Sequence, residues 1–177
     1  EPVPWEACIT MNKNWGYCAG DRYFKPASMI VRKLVECVSK GGNLLLNVGP
    51  DARGYIPDES LRILAEVGEW MRNNGESVYG CGRADLPKPE WGRYTRCGNR
   101  IYAHVTEPPI GPLHLPGIPR EAIRSVRWLR DGSEVRLSGD WMTHGYRGQT
   151  FLHVDALTHD CMLPDPVVDA VKEKYSQ

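Results

Sequence analysis

The sequence predicts an α/β segment followed by an all-β segment. Three observations carry this. The first eighty residues alternate strand-like and helix-like runs, the order of a parallel α/β unit. The sequence changes character near Gly80–Pro89, with nine of the 14 prolines at or after Pro87. Beyond that point short β-like runs are broken by Pro and Gly, as in a loop-rich β domain.

Taken in order, Trp5–Met11 (WEACITM) reads as a strand and Asn12–Asp21 as a loop. Pro26–Lys40 reads as a helix, with Ile30, Leu34 and Cys37 at helical spacing beside Val31, Val35 and Val38. Pro26 suits a first turn, and Gly41-Gly42 stops the helix after Lys40. Asn43–Val48 (NLLLNV) is a nearly continuous apolar run between glycines, the pattern of a strand buried on both faces. Pro57–Asn74 reads as a second helix, its stripe made of Leu61, Leu64, Ala65, Gly68 and Met71 and widened by Ile63, Val67 and Trp70. Gly75 is expected at C′ of that helix.

In the second part, strands are expected near Gly92–Arg96, Arg100–Val105, Ile123–Leu129, Glu134–Ser138 and Thr150–Val154, with Asp131-Gly132 as a turn. Together they make a small antiparallel sandwich. Asp165–Tyr175 fits a helix by its Asp-Pro start and a strand by its β-branched content.

Charge and hydropathy argue against several functions, although a balanced total does not exclude a local basic patch. Lys+Arg and Asp+Glu both number 22, so the basic surplus of a nucleic-acid footprint is absent. No apolar run approaches the ~18–20 residues of a membrane span, so neither nucleic acid nor membrane is an expected partner. The six Cys (8, 18, 37, 81, 97, 161) include no CxxC pair. Buried free thiols are the default reading, which favours a reducing, cytoplasmic compartment over a secreted or lysosomal one. The five His are scattered without ligand spacing, and no Gly-Lys-Ser/Thr follows the glycine pairs, so no metal and no cofactor is expected. Trp91, Trp128 and Trp141 could form a sugar platform, but core packing is the commoner use of aromatics in a sandwich this small.

Two βα units do not make a domain, since a closed (β/α)8 barrel needs about 250 residues. A parallel strand pair also leaves edges that must be paired. The first part therefore reads as the tail of a barrel or as part of another sheet whose remainder is missing. The chain opens without Met, directly in motif-like sequence, which is expected of a fragment cropped from something longer.

The motifs carry a resemblance. Trp5-Glu6-Ala7-Cys8 followed by Asn14-Trp15-Gly16-Tyr17 is similar to the Trp-Glu-x-Cys signature and Trp-Gly-Tyr loop of the α-L-fucosidases, glycoside hydrolase family 29. The likeness continues through Val38-Ser-Lys-Gly-Gly-Asn-Leu-Leu-Leu-Asn-Val-Gly-Pro50, Gly54-x-Ile-Pro57, Leu64-x-x-Val-Gly-x-Trp70 and Asn74-Gly-Glu-Ser-Val-Tyr79. From Pro87 it is weaker, although Asp165-Pro-Val-Val-Asp-Ala-Val resembles a stretch near the family's end and favours a final strand.

The resemblance implies that residues 1–82 are the last two βα units of a (β/α)8 TIM barrel and residues 83–177 a C-terminal antiparallel β-sandwich. It implies a retaining hydrolase of terminal α-L-fucose working by double displacement on a fucosylated glycan. The family's nucleophile lies on an earlier strand, so this chain is expected to need the N-terminal part of the same protein and to be inactive alone. Asp21 and Asp51 do not sit in the nucleophile's motif. A homo-oligomer is left open.

Glu6 is the candidate general acid/base, because an apolar neighbour such as Trp5 raises a carboxyl pKa. The competing reading pairs Glu6 with a cation below the site, and some members of the family place the acid on an upstream loop, to which Glu1 could belong. Trp5, Trp15 and Tyr17 are the candidate substrate-binding aromatics, with rim packing the alternative for Tyr17. Asn47 could bind a hydroxyl or satisfy backbone, and Cys8 reads as packing. The reading from another class is a non-catalytic carbohydrate-binding or structural β-sandwich module.

Overall fold

A computed structural model of the chain describes residues 3–107, 109–139, 143–154 and 167–172. Glu1, Trp141, His159 and Cys161 lie outside the described residues.

The first part is β1 (Glu6–Thr10), α1 (Ala27–Ser39), β2 (Asn43–Asn47) and α2 (Asp58–Asn74). The two strands pair in parallel, Glu6 opposite Asn43 through Thr10 opposite Asn47. Helix α1 ends as its sequence predicts: Gly41 takes φ 76°, its N–H donates to Val38 O, and Gly42 N–H donates to Cys37 O. That is the Schellman arrangement, which only a residue free of Cβ enters without strain.

Side chains alternate across the strand pair. One side packs on the helices, where Met11, Ala27, Ile30 and Ile63 form a core joined by Leu46 and Val48. The other side carries Glu6, Cys8, Asn43 and Leu45, all exposed, with Leu45 at 40%. The run Asn43–Val48 is thus buried on one face and not on both, because no described element covers the second. Cys8 is likewise exposed and not packed.

Helix α2 buries Ser60, Ile63, Trp70 and Asn74, with Leu64, Val67 and Met71 at the margins. The residues expected to widen its stripe are its centre, and Leu61 is 49% exposed. The cause is a second surface: α2 meets α1 on one flank and the antiparallel sheet on the other. Gly75 is in the αR region and opens a 3₁₀ turn, Gly75–Ser77, instead of reversing the chain as a C′ residue.

The second part holds β3 (Gly92–Cys97), β4 (Arg100–Val105), β5 (Leu113–Leu115), β6 (Ile123–Trp128), β7 (Thr150–Leu152) and β8 (Val167–Lys172). A four-stranded sheet has the order β3-β4-β8-β6, and β5 pairs with β7. The C-terminal segment is therefore a strand, inserted between β4 and β6 and antiparallel to both.

Tyr94, Ile101, Ala103 and Val105 on one face of the larger sheet share a core with Leu113, Leu115, Val126 and Leu152. Trp91 is buried there, stacked edge-on against Tyr94 and donating from Nε1 to His114 O at 2.7 Å. Trp128 is half-buried against the same core, so these two rings serve packing and form no sugar platform.

Asp131-Gly132 makes the expected turn, with Gly132 at φ 71° and the Asp131 carboxylate accepting from Ser133 N–H. Glu134–Ser138, expected as a strand, makes only isolated bridges, Glu134 to Arg127 and Leu137 to Leu152. A segment that changes partner from one sheet to the other within four residues cannot build a ladder with either. Strand β5, with three residues, is below the length at which alternation shows in sequence.

The opposite face of β3 and β4 packs on the helices through Tyr102, which joins Val31, Val35, Val38 and Trp70. His104 lies on this face, 1% exposed and beside Thr95 Oγ1 at 2.9 Å. Thr95 gives its own hydrogen to Ser77 O, so Nε2–H of His104 is the donor and the ring is neutral. Burial pushes the His104 pKa down from 6.5 to about 3.

The unfolded chain therefore takes up this proton first, and the stability held above pH ~6.5 is lost as the pH falls toward the folded value. The steepest slope is about 1.4 kcal/mol per pH unit. Urea midpoints at pH 7 and 4.5 should fall further for the parent than for His104→Gln. Equal slopes would remove His104 from the account.

Candidate active site

The C-terminal ends of β1 and β2 converge on one side of the strand pair. Met11 N–H donates to Asn47 O at 2.9 Å, and Lys25 Nζ caps Thr10 O and Asn12 O at 2.8 and 2.7 Å. Asn47 gives its Nδ2 hydrogens to Thr10 Oγ1 and Trp15 O, so the strand-end asparagine fixes the loop. Gly49 takes φ 55°, a backbone conformation that favours glycine, and a Cβ there would only touch the backbone of Trp15 and Gly16, at 3.4 Å.

The loop after β1 is tied by Asp21. Its carboxylate accepts from Tyr23 N–H at 3.0 Å, and from Lys13 N–H and Asn14 Nδ2 at 2.9 Å each. Those donors, Tyr23 first, hold it below the usual carboxylate range, so it is ionised at neutral pH. Asp51 does the same for the loop after β2: its carboxylate accepts from Tyr55 N–H at 3.0 Å and Arg53 N–H at 2.8 Å, and these donors, Tyr55 first, lower its pKa.

Between these two loops opens a cleft of about 270 Å³, lined among others by Tyr17, Asp21, Arg22, Asp51, Tyr55 and Glu59. Carboxylates that accept hydroxyl hydrogens, beside aromatic faces that pack on C–H surfaces, are the combination a sugar needs.

The four sequence-predicted residues fall into two groups. Tyr17 lines the cleft with Asp21, and Trp15 stands on the same loop, 54% exposed. Glu6 and Trp5 lie at the other end of β1, about 13 Å from its C-terminal residue at ~3.3 Å per residue. The Trp5 ring covers Gly42, whose missing side chain makes the space, and its Nε1–H donates to Lys40 O at 3.4 Å. Glu6 is exposed on the face turned away from the helices, accepting from Cys8 Sγ at 3.7 Å. The structure thus joins Tyr17 to Asp21 and separates both from Glu6. Asp21 carries no sequence signal beyond its place after the Trp-Gly-Tyr loop. Among the described residues no His, Cys, Asp and Glu converge as a metal site, and no helix is long and apolar enough to cross a membrane.

Comparison with known proteins places the chain among the α-L-fucosidases. A family model described as Alpha-L-fucosidase matches residues 1–76. The α-L-fucosidase of Dictyostelium discoideum is 35% identical over 113 residues, 59% of this chain and 24% of that protein. Isoenzyme 1 of the Paenibacillus thiaminolyticus α-L-fucosidase superposes with TM-score 0.92 at 48% identity, covering 98% of this chain and 41% of its own. A Bacteroides thetaiotaomicron α-L-fucosidase of family 29, solved as a trapped covalent intermediate with 2-fluoro-fucosyl fluoride, gives TM-score 0.79 at 28% identity over 96% of this chain and 38% of its own. The chain thus spans about a quarter of the Dictyostelium protein and about two fifths of the solved enzymes. By family model, sequence and fold together, the chain belongs to the α-L-fucosidase family.

Proposed function

We propose that this chain is the C-terminal part of a retaining glycoside hydrolase that releases terminal α-L-fucose from glycans. In this reading residues 1–82 are the last two units of a (β/α)8 barrel, and residues 83–177 are a β-sandwich bracing it. The observation that carries it is the bare face of the β1–β2 pair, with Glu6, Cys8, Asn43 and Leu45 exposed opposite a helix-packed face. In a closed ring such a face is the lumen, filled by layers of side chains from the other strands.

The chemistry follows from where the carboxylates stand. A double displacement uses one carboxylate to attack the anomeric carbon and a second to protonate the leaving oxygen and later activate water. The attacking carboxylate comes from the N-terminal part of the protein. Barrel enzymes place catalytic groups at the C-terminal ends of their strands; Asp21 follows that end of β1 and lines the cleft, whereas Glu6 stands at the other end. We assign Asp21 to the acid/base role. As an ionised group it suits the water-activating half of the cycle. Glu6, low in the ring wall, shapes the site from below. Tyr17 offers its face to the sugar.

Turnover of an aryl α-L-fucoside tests the whole. The 177-residue chain alone should give none, and supplying the N-terminal part by fusion should restore it. Clear activity from the chain alone would refute the reading.

A further inference from the structure

Where the helical part hands over to the sheet, the chain runs beside β3 for one bridge. Gly82 N–H donates to Arg96 O at 2.9 Å, and Arg96 N–H returns to Gly82 O at 3.0 Å. A pair that exchanges both hydrogen bonds is flanked by a non-hydrogen-bonded pair, whose Cα atoms stand about 4.5 Å apart and whose side chains lie closest in the ladder. One step along this antiparallel register, Cys81 faces Cys97. Both are free thiols, Cys81 half-buried and Cys97 exposed. Disulfides need Cα atoms about 4.4–6.8 Å apart with Cβ atoms turned toward each other, which this position meets. Among the described residues, Cys8 stands opposite Leu45 and Cys37 is buried in α1, neither facing a second thiol across a strand pair.

We propose that Cys81 and Cys97 form a reversible disulfide clip, oxidised by a low-molecular-weight disulfide of the glutathione type. The Cys97 thiolate attacks one sulfur of the small disulfide; that S–S bond breaks, and one small thiol leaves with the electron pair and takes up a proton. Cys81, giving up its proton, then attacks Cys97 Sγ and expels the second small thiol. Two protein thiols are oxidised and one small disulfide is reduced to two thiols.

Exposure sets the order of attack. Cys81 gives its hydrogen to Glu76 O at 3.3 Å, and burial, then the neighbouring Cys97, raise its pKa to about 11. The closing step is therefore the slow one and quickens as pH rises.

The clip would close a ring around residues 82–96, which hold the Arg83–Asp85 ion pair and, with Ser39 and Lys40, wall a second cleft at this junction. It adds a covalent tie where Glu76 already binds Arg100 and, at 2.8 Å, Tyr102 Oη. The clip does not depend on the fucosidase reading.

The test equilibrates the intact protein in glutathione and glutathione disulfide, blocks remaining thiols, and maps peptides by mass spectrometry without reduction. A Cys81–Cys97 linked peptide lighter by two hydrogens is expected, with a melting temperature higher by about 5 °C or more. Cys97→Ser should abolish both, and Cys81→Ala should stall as a mixed disulfide on Cys97. Glutathione remaining on Cys97 of the parent without a cross-link, or either thiol linked to a different cysteine, would overturn the proposal.

Discussion

In the assembled enzyme, Asp21→Asn should lower turnover of an aryl α-L-fucoside by ~10²–10⁴-fold, the usual worth of a positioned acid/base, whereas Glu6→Gln should cost about tenfold or less. The difference rests on the two ends of β1. Asp21 lines the cleft with Tyr17 at the C-terminal side, and Glu6 opens the strand at the other. Because Asp21 also ties its loop through Lys13, Asn14 and Tyr23, loss of rate by itself does not separate chemistry from positioning. Azide does: it attacks a glycosyl intermediate without needing a base, so it should recover turnover in Asp21→Asn. The pH profile separates the two further, since Glu6→Gln should leave both limbs in place. The reverse order, with azide rescue in Glu6→Gln, would return the acid/base to Glu6.

Gly92→Ala should be the most damaging single methyl addition in the β part, costing about 3 kcal/mol or more, at or above the usual cost of overpacking. Gly92 pairs with Val105 where β3 begins. A Cβ there would drive into the His104 carbonyl oxygen, with its carbonyl carbon at 3.0 Å and Thr106 N at 3.3 Å. All three are backbone atoms, so the strands must part rather than a side chain swing away. Parting them also breaks the anchor at Trp91, whose carbonyl accepts from Thr106 and Glu107 N–H. Gly139→Ala is the control, since nothing lies within 4 Å of its added Cβ and its φ is unremarkable. Urea midpoints should show a large drop for the first and almost none for the second. A similar small change in both would mean that β3 is not pinned to β4 as described.

How far the molecule was legible beforehand follows from the range of the interactions involved. Helices α1 and α2 begin and end within about a residue of expectation, because prolines, the Gly41-Gly42 reversal and 3.6-residue periodicity act within a few residues of one another. Strands β3 and β4 were visible for the same reason. Glu134–Ser138 misled, since its residues favour extended structure but its partners lie in two different sheets. The burial of α2 misled as well: a hydropathy stripe cannot know that a sheet from the far half of the chain will cover Trp70 and leave Leu61 in water.

The candidate site divides along the same line. The resemblance of the Trp-Glu-x-Cys and Trp-Gly-Tyr motifs picked out Tyr17, Trp15 and Glu6, while the balanced charge argued against a nucleic-acid footprint. Which end of β1 each residue occupies was a matter for the fold. So were the cleft joining Tyr17 to Asp21 and the bridge setting Cys81 opposite Cys97. Local preference is encoded residue by residue, whereas proximity between distant residues arises only when packing and strand register choose one arrangement among many.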